Sequence, residues 1–166
     1  MKRIFLSIML LVAVTALYSQ SQRLVLLEEF TQASCGPCAS ANPGIYALLN
    51  SNPDKITSVW YHTNWPGYDP MNLDNPTEVA ARVSYYGVGY VPYSVLDGNY
   101  YAGSATGWNI NTVNNRYNVP SPFSMALQAV LNTAQDSIFV TTVAQATDAV
   151  SGALAAHNVV IEKNIH

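Results

Sequence analysis

The chain has 166 residues, 49% of them hydrophobic and only 10% of the DEKR types, with a formal charge of −3. That length suits one globular domain with at most a small appendage, and a charged share well below the usual ~25% excludes a disordered acidic or basic tail. Losing Lys2 and Arg3 with a leader would leave five Lys and Arg against ten Asp and Glu, a charge of −5, so no nucleic-acid partner is expected, since that role needs a clustered basic face.

Lys2 and Arg3 precede an apolar run from Ile4 to Leu17 and then the polar stretch Tyr18 to Gln22. Residues 1–21 therefore read as a secretory signal, the run being shorter than the ~20 residues that span a bilayer. Ser19 and Ser21 fit a small-x-small rule with cleavage after Ser21, and cleavage after Ser19 is the other choice. No cysteine follows closely enough to take a lipid, and no second apolar run of that length exists. The mature chain is expected to have no transmembrane segment and to reside in the periplasm, at the outer-membrane surface or outside the cell.

Arg23 to Thr31 (RLVLLEEFT) is apolar with little alternation, as in a strand buried on both faces of a sheet. After Ser34-Cys35-Gly36-Pro37-Cys38, the stretch Ala39 to Asn50 reads as a helix with Ile45, Leu48 and Leu49 on its inner side and a kink at Pro43-Gly44. Lys55 to His62 reads as a second strand and Thr63 to Asn75 as a polar, aromatic loop. Asn75-Pro76-Thr77-Glu78 opens a helix, with Asn75 as cap, Pro76 at the first helical position and Glu78 placed for a capping box; it stops at Gly87. Tyr93 to Leu96, the Asp97-Gly98 turn signal and Asn99 to Ala102 predict a hairpin, and Trp108 to Tyr117 a last helix. The order βαβαββα predicts an α/β sandwich, with helices on both faces of a mixed sheet.

Composition changes at Asn118 to Pro122, which reads as a linker. Beyond it, alternation at Phe123, Met125, Leu127, Ala129 and Leu131, less cleanly at Ile138, Val140, Thr142 and Ala144, and again at Val159 and Ile161 predicts three strands. These are too few to close a sandwich. Because the chain stops at His166 inside what reads as a strand, residues 119–166 are expected to be a short, incomplete β segment, the start of a truncated β domain.

The only cysteines are Cys35 and Cys38. A thiolate is the attacking species in disulfide exchange, and a helix N-terminus stabilises it through unpaired N–H groups and the helix dipole. Cys35 occupies that position and is expected to be the more acidic, exposed nucleophile. Cys38, one turn on and shielded, suits a resolving thiol. Zinc is a rival for the Cys-x-x-Cys spacing, but a structural site needs four ligands and His62, His157 and His166 are widely separated, so no metal is expected. A static structural disulfide is the other rival; a loop this short closes little chain entropy, which favours redox chemistry over stapling.

With Cys-Gly-Pro-Cys on the page, the sequence resembles the thioredoxin superfamily over roughly Arg23 to Tyr117. Glu29, six residues before Cys35, matches the buried acid of that family, and Glu29-Phe30 its acidic-aromatic pair. Gly87-Val88-Gly89-Tyr90-Val91-Pro92 resembles the segment that delivers the family's cis-proline. The resemblance implies a thioredoxin-like domain over residues 22–118. It implies catalytic roles for Cys35, Cys38 and Glu29, Glu29 being proton acceptor for Cys38, and a substrate platform made of Gly36, Pro37, Val91 and Pro92. The tryptophan that usually precedes the first cysteine is replaced by Ser34, and the loop Thr63 to Asn75 is an insertion. Signal, lead-in, Trp-Pro-Gly-Tyr loop and β segment look like the exported outer-membrane-protein-twenty-eight-related group of thioredoxin-like proteins.

The implied activity is thiol–disulfide exchange with protein or peptide thiols and disulfides, recharged by an unidentified redox partner and using no cofactor beyond a redox-active Cys35–Cys38 disulfide. The alternative is a non-enzymatic outer-membrane or surface binding module keeping a static disulfide. Four smaller readings accompany these. The loop Asn64 to Asp74 is a substrate lip or a packed surface loop. Asp69, Asn72 and Asp74 lack the regular spacing of a calcium site. Tyr85, Tyr86, Tyr90, Tyr93, Tyr100 and Tyr101 form either a peptide surface or sheet rim. Strand alternation puts Glu28 on the solvent side, opposite Glu29, and His62, at the end of a central strand, is expected to be a satisfied core histidine, the other reading being that it tunes the cysteines.

Overall fold

The computed structural model describes residues 21–161. The leader up to Gln20 and the chain end at His166 lie outside the described residues. The chain divides into two compact units, Arg23–Val119 and one built from the flanking segments.

The first unit is a mixed four-stranded sheet in the order β2-β1-β3-β4, made of β1 (Val25–Thr31), β2 (Ile56–His62), β3 (Tyr93–Leu96) and β4 (Tyr101–Ser104). Four helices accompany it: α1 (Gly36–Ser51), α2 (Pro70–Asp74), α3 (Pro76–Tyr86) and α4 (Ile110–Tyr117). β1 is central, parallel to β2 and antiparallel to β3, which is why it is buried on both faces and shows little alternation. Its two faces feed two cores. Val25 and Leu27 pack with Ile45 of α1, Val113 of α4, Ile56 and Leu96. Phe30 packs with Val88 and Val95, flanked by Val83 and Tyr86 of α3. Helices thus cover both faces, the α/β architecture expected from the sequence. Each fully buried Val, Leu or Phe contributes about 1.5–3 kcal/mol relative to exposure.

Local chemistry sets the element ends. α1 is capped by Cys35 and runs through Pro43 without interruption to Ser51. α3 has Pro76 in its first turn and ends at Gly87, whose φ of 62 only glycine adopts cheaply. Asn75 stands at its N-cap position, but its side chain makes no capping bond and no capping box forms with Glu78, because the residue already closes α2. α4 starts later than expected. The capping box pairs Asn109 with Thr112, which leaves Trp108 outside the helix and buried in the core. In the β3–β4 hairpin, Asp97 and Gly98 carry φ of 50 and 80. The Asp97 carboxylate takes both Arg23 (2.7 Å) and Arg116 (2.6 Å).

Glu28 corrects the expectation that it faces solvent. It is 2% exposed and lies on the Phe30 side of β1 beneath α3. Arg82 grips it with two of its three guanidinium nitrogens, Nε at 2.5 Å and Nη2 at 2.9 Å, while the hydroxyls of Tyr61 and Tyr86 donate to its two oxygens. Alternation was right that Glu28 and Glu29 point to opposite faces, but both faces are covered. Burial first, then the Glu28 charge, pushes the Tyr61 hydroxyl up to about 12. Arg82→Ala strands this carboxylate and is expected to cost roughly 2–3 kcal/mol in a denaturant melt, below the ~3–5 kcal/mol of a fully buried pair because the Arg82 side chain is 29% exposed. The double variant Arg82→Met/Glu28→Met should recover most of that loss; an unchanged midpoint for Arg82→Ala would mean that water replaces the guanidinium freely.

The second unit contains β5 (Phe123–Leu131) and β6 (Ile138–Ala146), an antiparallel pair from Phe123↔Ala146 to Leu131↔Ile138. The Asn132 side chain organises its turn, accepting from the N–H groups of Asp136 and Ser137. Leu127 and Phe139 remain 66% exposed. The third expected strand, at Val159 and Ile161, does not form: those residues carry no regular structure. Neither residue pairs with β5 or β6, although each of those strands has only one neighbour among the described residues; a period-2 pattern marks a segment able to pair and does not by itself fix a partner. Among the described residues, no helix is long and apolar enough to cross a membrane.

Candidate functional site

β1 ends at Thr31 and the chain turns through Gln32, Ala33 and Ser34 into α1, which places Cys35 at the helix N-cap. Its Sγ accepts from Cys38 N–H at 3.1 Å. Cys35 and Cys38 are joined in a disulfide with their Cα atoms 5.2 Å apart. Pro37 sits in the first turn, where its missing N–H costs nothing. Gly36 and Pro37 are exposed beside the disulfide. The sulfurs are not. Cys35 is 4% exposed and Cys38 1%, correcting the expectation of an exposed Cys35: its Sγ turns inward as a cap, and the Val91 carbonyl stands 3.8 Å away.

Val91 therefore comes from the far side of the sheet connection to the sulfur of Cys35. The Val91–Pro92 peptide is cis, and Pro92 is buried at the entry to β3. Trp65–Pro66, in the loop after β2, is cis as well; the sequence carried no signal for it beyond the proline itself.

Glu29 is fully buried on the face of β1 that carries Val25 and Leu27, the face covered by α1. The cross-strand register sets it opposite Ser94, whose hydroxyl donates to Oε2. Oε1 has no hydrogen-bond partner, and neither oxygen bonds a sulfur. Burial pushes the Glu29 carboxyl up to about 8, the Ser94 bond opposing this only in part. Among the described residues no cation neutralises Glu29 through a hydrogen bond, and the basic residues of this unit bind elsewhere: Arg82 to Glu28, Arg23 and Arg116 to Asp97, and Lys55 to Asn114. Ser94 was missed, although a lone polar residue in the Tyr93 to Leu96 strand was its trace.

The loop after β2 holds a second constellation that the sequence left undeciphered. Asp69 is 3% exposed and caps α2, Oδ1 accepting from the N–H groups of Met71 (2.9 Å) and Asn72 (3.3 Å). Its Oδ2 accepts from Ala33 N–H at 2.7 Å and meets His62 Nδ1 at 2.8 Å. His62 is thereby partnered, and its carbonyl accepts from Asn72 Nδ2 at 2.7 Å. Burial would raise the Asp69 carboxyl, but the bonds from His62, Ala33 and Asn72 outweigh it and hold the group below the ordinary carboxylate range. The Tyr68 carbonyl accepts from Gln32 Nε2 (2.9 Å) and Ser34 Oγ (2.6 Å). Asp69 followed by Pro70 is the sequence pattern of a helix cap with proline at the first position, and it was the signal available for α2.

No family model and no curated protein matches this chain. Among solved structures it is similar to HBP35 of Porphyromonas gingivalis, with a TM-score of 0.59 and 17% identity over 78% of this chain and 44% of that one. At that identity the likeness is one of fold, and the chain spans less than half the length of this neighbour.

Proposed function

We propose that the protein is an exported, thioredoxin-like thiol–disulfide oxidoreductase that exchanges disulfides with protein substrates through Cys35 and Cys38. The observation that carries this reading is the disulfide at the N-cap of α1 with the Val91 carbonyl against it, backed by a buried Glu29 that holds one unpartnered oxygen. In the reduced protein the Cys35 thiolate attacks one sulfur of a substrate disulfide. A new S–S bond forms, and the substrate's other sulfur leaves as a thiolate that takes a proton from water. Cys38 then gives its proton to the Glu29 carboxylate and attacks Cys35 Sγ. That closes the Cys35–Cys38 disulfide and expels the second substrate thiol. Two electrons pass from the dithiol to the substrate, and a thiol-bearing redox partner must return them; with substrate dithiols the same steps run in reverse. Gly36, Pro37 and Val91, with the buried Pro92 behind Val91, form the platform a peptide meets. The export element rests on Lys2, Arg3 and the Ile4 to Leu17 run.

Insulin reduction by the mature domain with dithiothreitol tests the reading. Turnover well above the dithiothreitol background is expected, together with a two-electron redox titration of the cysteine pair. A pair that titrates without turning over insulin would favour the static-disulfide module.

A further inference from the structure

The carboxylate of Asp69 divides its work between its two oxygens. Oδ1 serves the cap of α2 alone, through Met71 and Asn72. Oδ2 serves the segment in front of the nucleophile, through Ala33 N–H, and is itself held by His62 at the end of β2. The same segment is tied a second time, by Gln32 and Ser34 on the Tyr68 carbonyl. A third restraint is steric: a Cβ on Gly67 would come within 3.1 Å of Ser34 Cβ, so loop and lead-in already touch. Ala33 and Ser34 are exposed on their outer side, and these ties to the loop restrain them from it. Cys35 N–H itself donates to Gln32 O at 3.2 Å, which passes the restraint on to the nucleophile.

We infer that Asp69, fixed by His62, is a positioning residue for Cys35: through Ala33 it sets where Sγ stands relative to the α1 N-terminus and the Val91 carbonyl. This inference rests on the proposed disulfide exchange for its consequence in turnover, but not for its geometry. Attack on a disulfide needs the incoming sulfur in line with the bond that breaks, so freedom in the lead-in lowers the productive fraction. It also opens a sulfur that is almost wholly covered to small reagents, so the two rates should move in opposite directions. Merely structural damage moves neither rate per folded molecule.

Asp69→Asn separates the two duties. Oδ1 still caps α2, while an amide NH2 now faces the Ala33 N–H and His62, which cannot both be accommodated. In the reduced protein, alkylation of Cys35 by iodoacetamide is measured at a pH where the thiol is fully ionised, so that its acidity does not enter. The rate is expected to rise several-fold in Asp69→Asn, while kcat for insulin reduction falls about tenfold and KM stays within twofold. His62→Gln should move both rates the same way by less. Asp69→Asn/His62→Gln should be no worse than Asp69→Asn, because both single changes break the bonds at one oxygen. An unchanged alkylation rate in both single variants, or full additivity in the double, overturns the inference. If Asp69→Asn fails to fold, His62→Gln decides by the same readouts. A wild-type protein that does not reduce insulin defeats the proposed function, whereas the alkylation arm still tests the positioning role.

Discussion

Cys38→Ser is expected to accumulate covalent adducts with client proteins, and Cys35→Ser to abolish both the adducts and insulin reduction. The reason is the order of events at the N-cap of α1. Both cysteines are buried, at 4% and 1% exposure, but Cys35 stands at the N-cap against the Val91 carbonyl and Cys38 a turn inside the helix, so the proposed order has Cys35 meet the substrate first. In the Cys38→Ser variant attack survives, but nothing expels the second substrate sulfur, and the mixed disulfide persists. Non-reducing gels of export-competent cells expressing Cys38→Ser, beside the Cys35→Ser/Cys38→Ser double variant, give the readout. Adducts that need Cys38 instead would reverse the two roles. The absence of any Cys35-dependent adduct, with the cysteines in a disulfide in the wild type, would favour a static bond.

Glu29→Gln should raise stability above neutral pH by several kcal/mol and change nothing below about pH 4.5. The carboxyl titrates near 4.5 in the unfolded chain and at about 8 in the fold. Between those values the folded state holds a proton that the unfolded state has released. The wild type therefore loses about 1.4 kcal/mol per pH unit across this window, on the order of 5 kcal/mol in all, and the loss is complete once pH passes the folded value. Glutamine keeps an oxygen for Ser94 and cannot ionise, so its stability curve should be flat there. Denaturant melts of both proteins at pH 5 and pH 8.5 measure the difference. The same substitution removes the acceptor assigned to Cys38, so wild-type turnover should climb through about pH 8 more steeply than that of the variant, which is slower several-fold. A parallel pair of stability curves would mean that Glu29 is ionised and compensated in the fold. An unchanged turnover profile would remove it from the proposed chemistry.

The primary sequence alone was enough for the features whose cause is local or periodic. The largely apolar, little-alternating run of β1, the Pro76 start and Gly87 stop of α3, and the Asp97-Gly98 turn each follow from backbone preferences and burial patterns within a few residues. The spacing of Cys35 and Cys38 at a helix N-terminus made a disulfide legible too, because four consecutive residues bring the sulfurs together. Other features depended on which residues face each other across the sheet, and periodicity does not contain that. Alternation sends Glu28 to solvent because it distinguishes two faces but cannot say that α3 covers the second one, with Arg82 supplying the charge that lets a carboxylate stay there. Ser94 became the partner of Glu29 only when β3 paired with β1 in that register. Asp69 read as a doubtful calcium ligand until folding brought Ala33 and His62 to one of its oxygens. At Val159 and Ile161 alternation marked a segment able to pair, yet no strand forms there although β5 and β6 each have only one neighbour among the described residues: a two-residue face pattern is too weak to fix a partner and register.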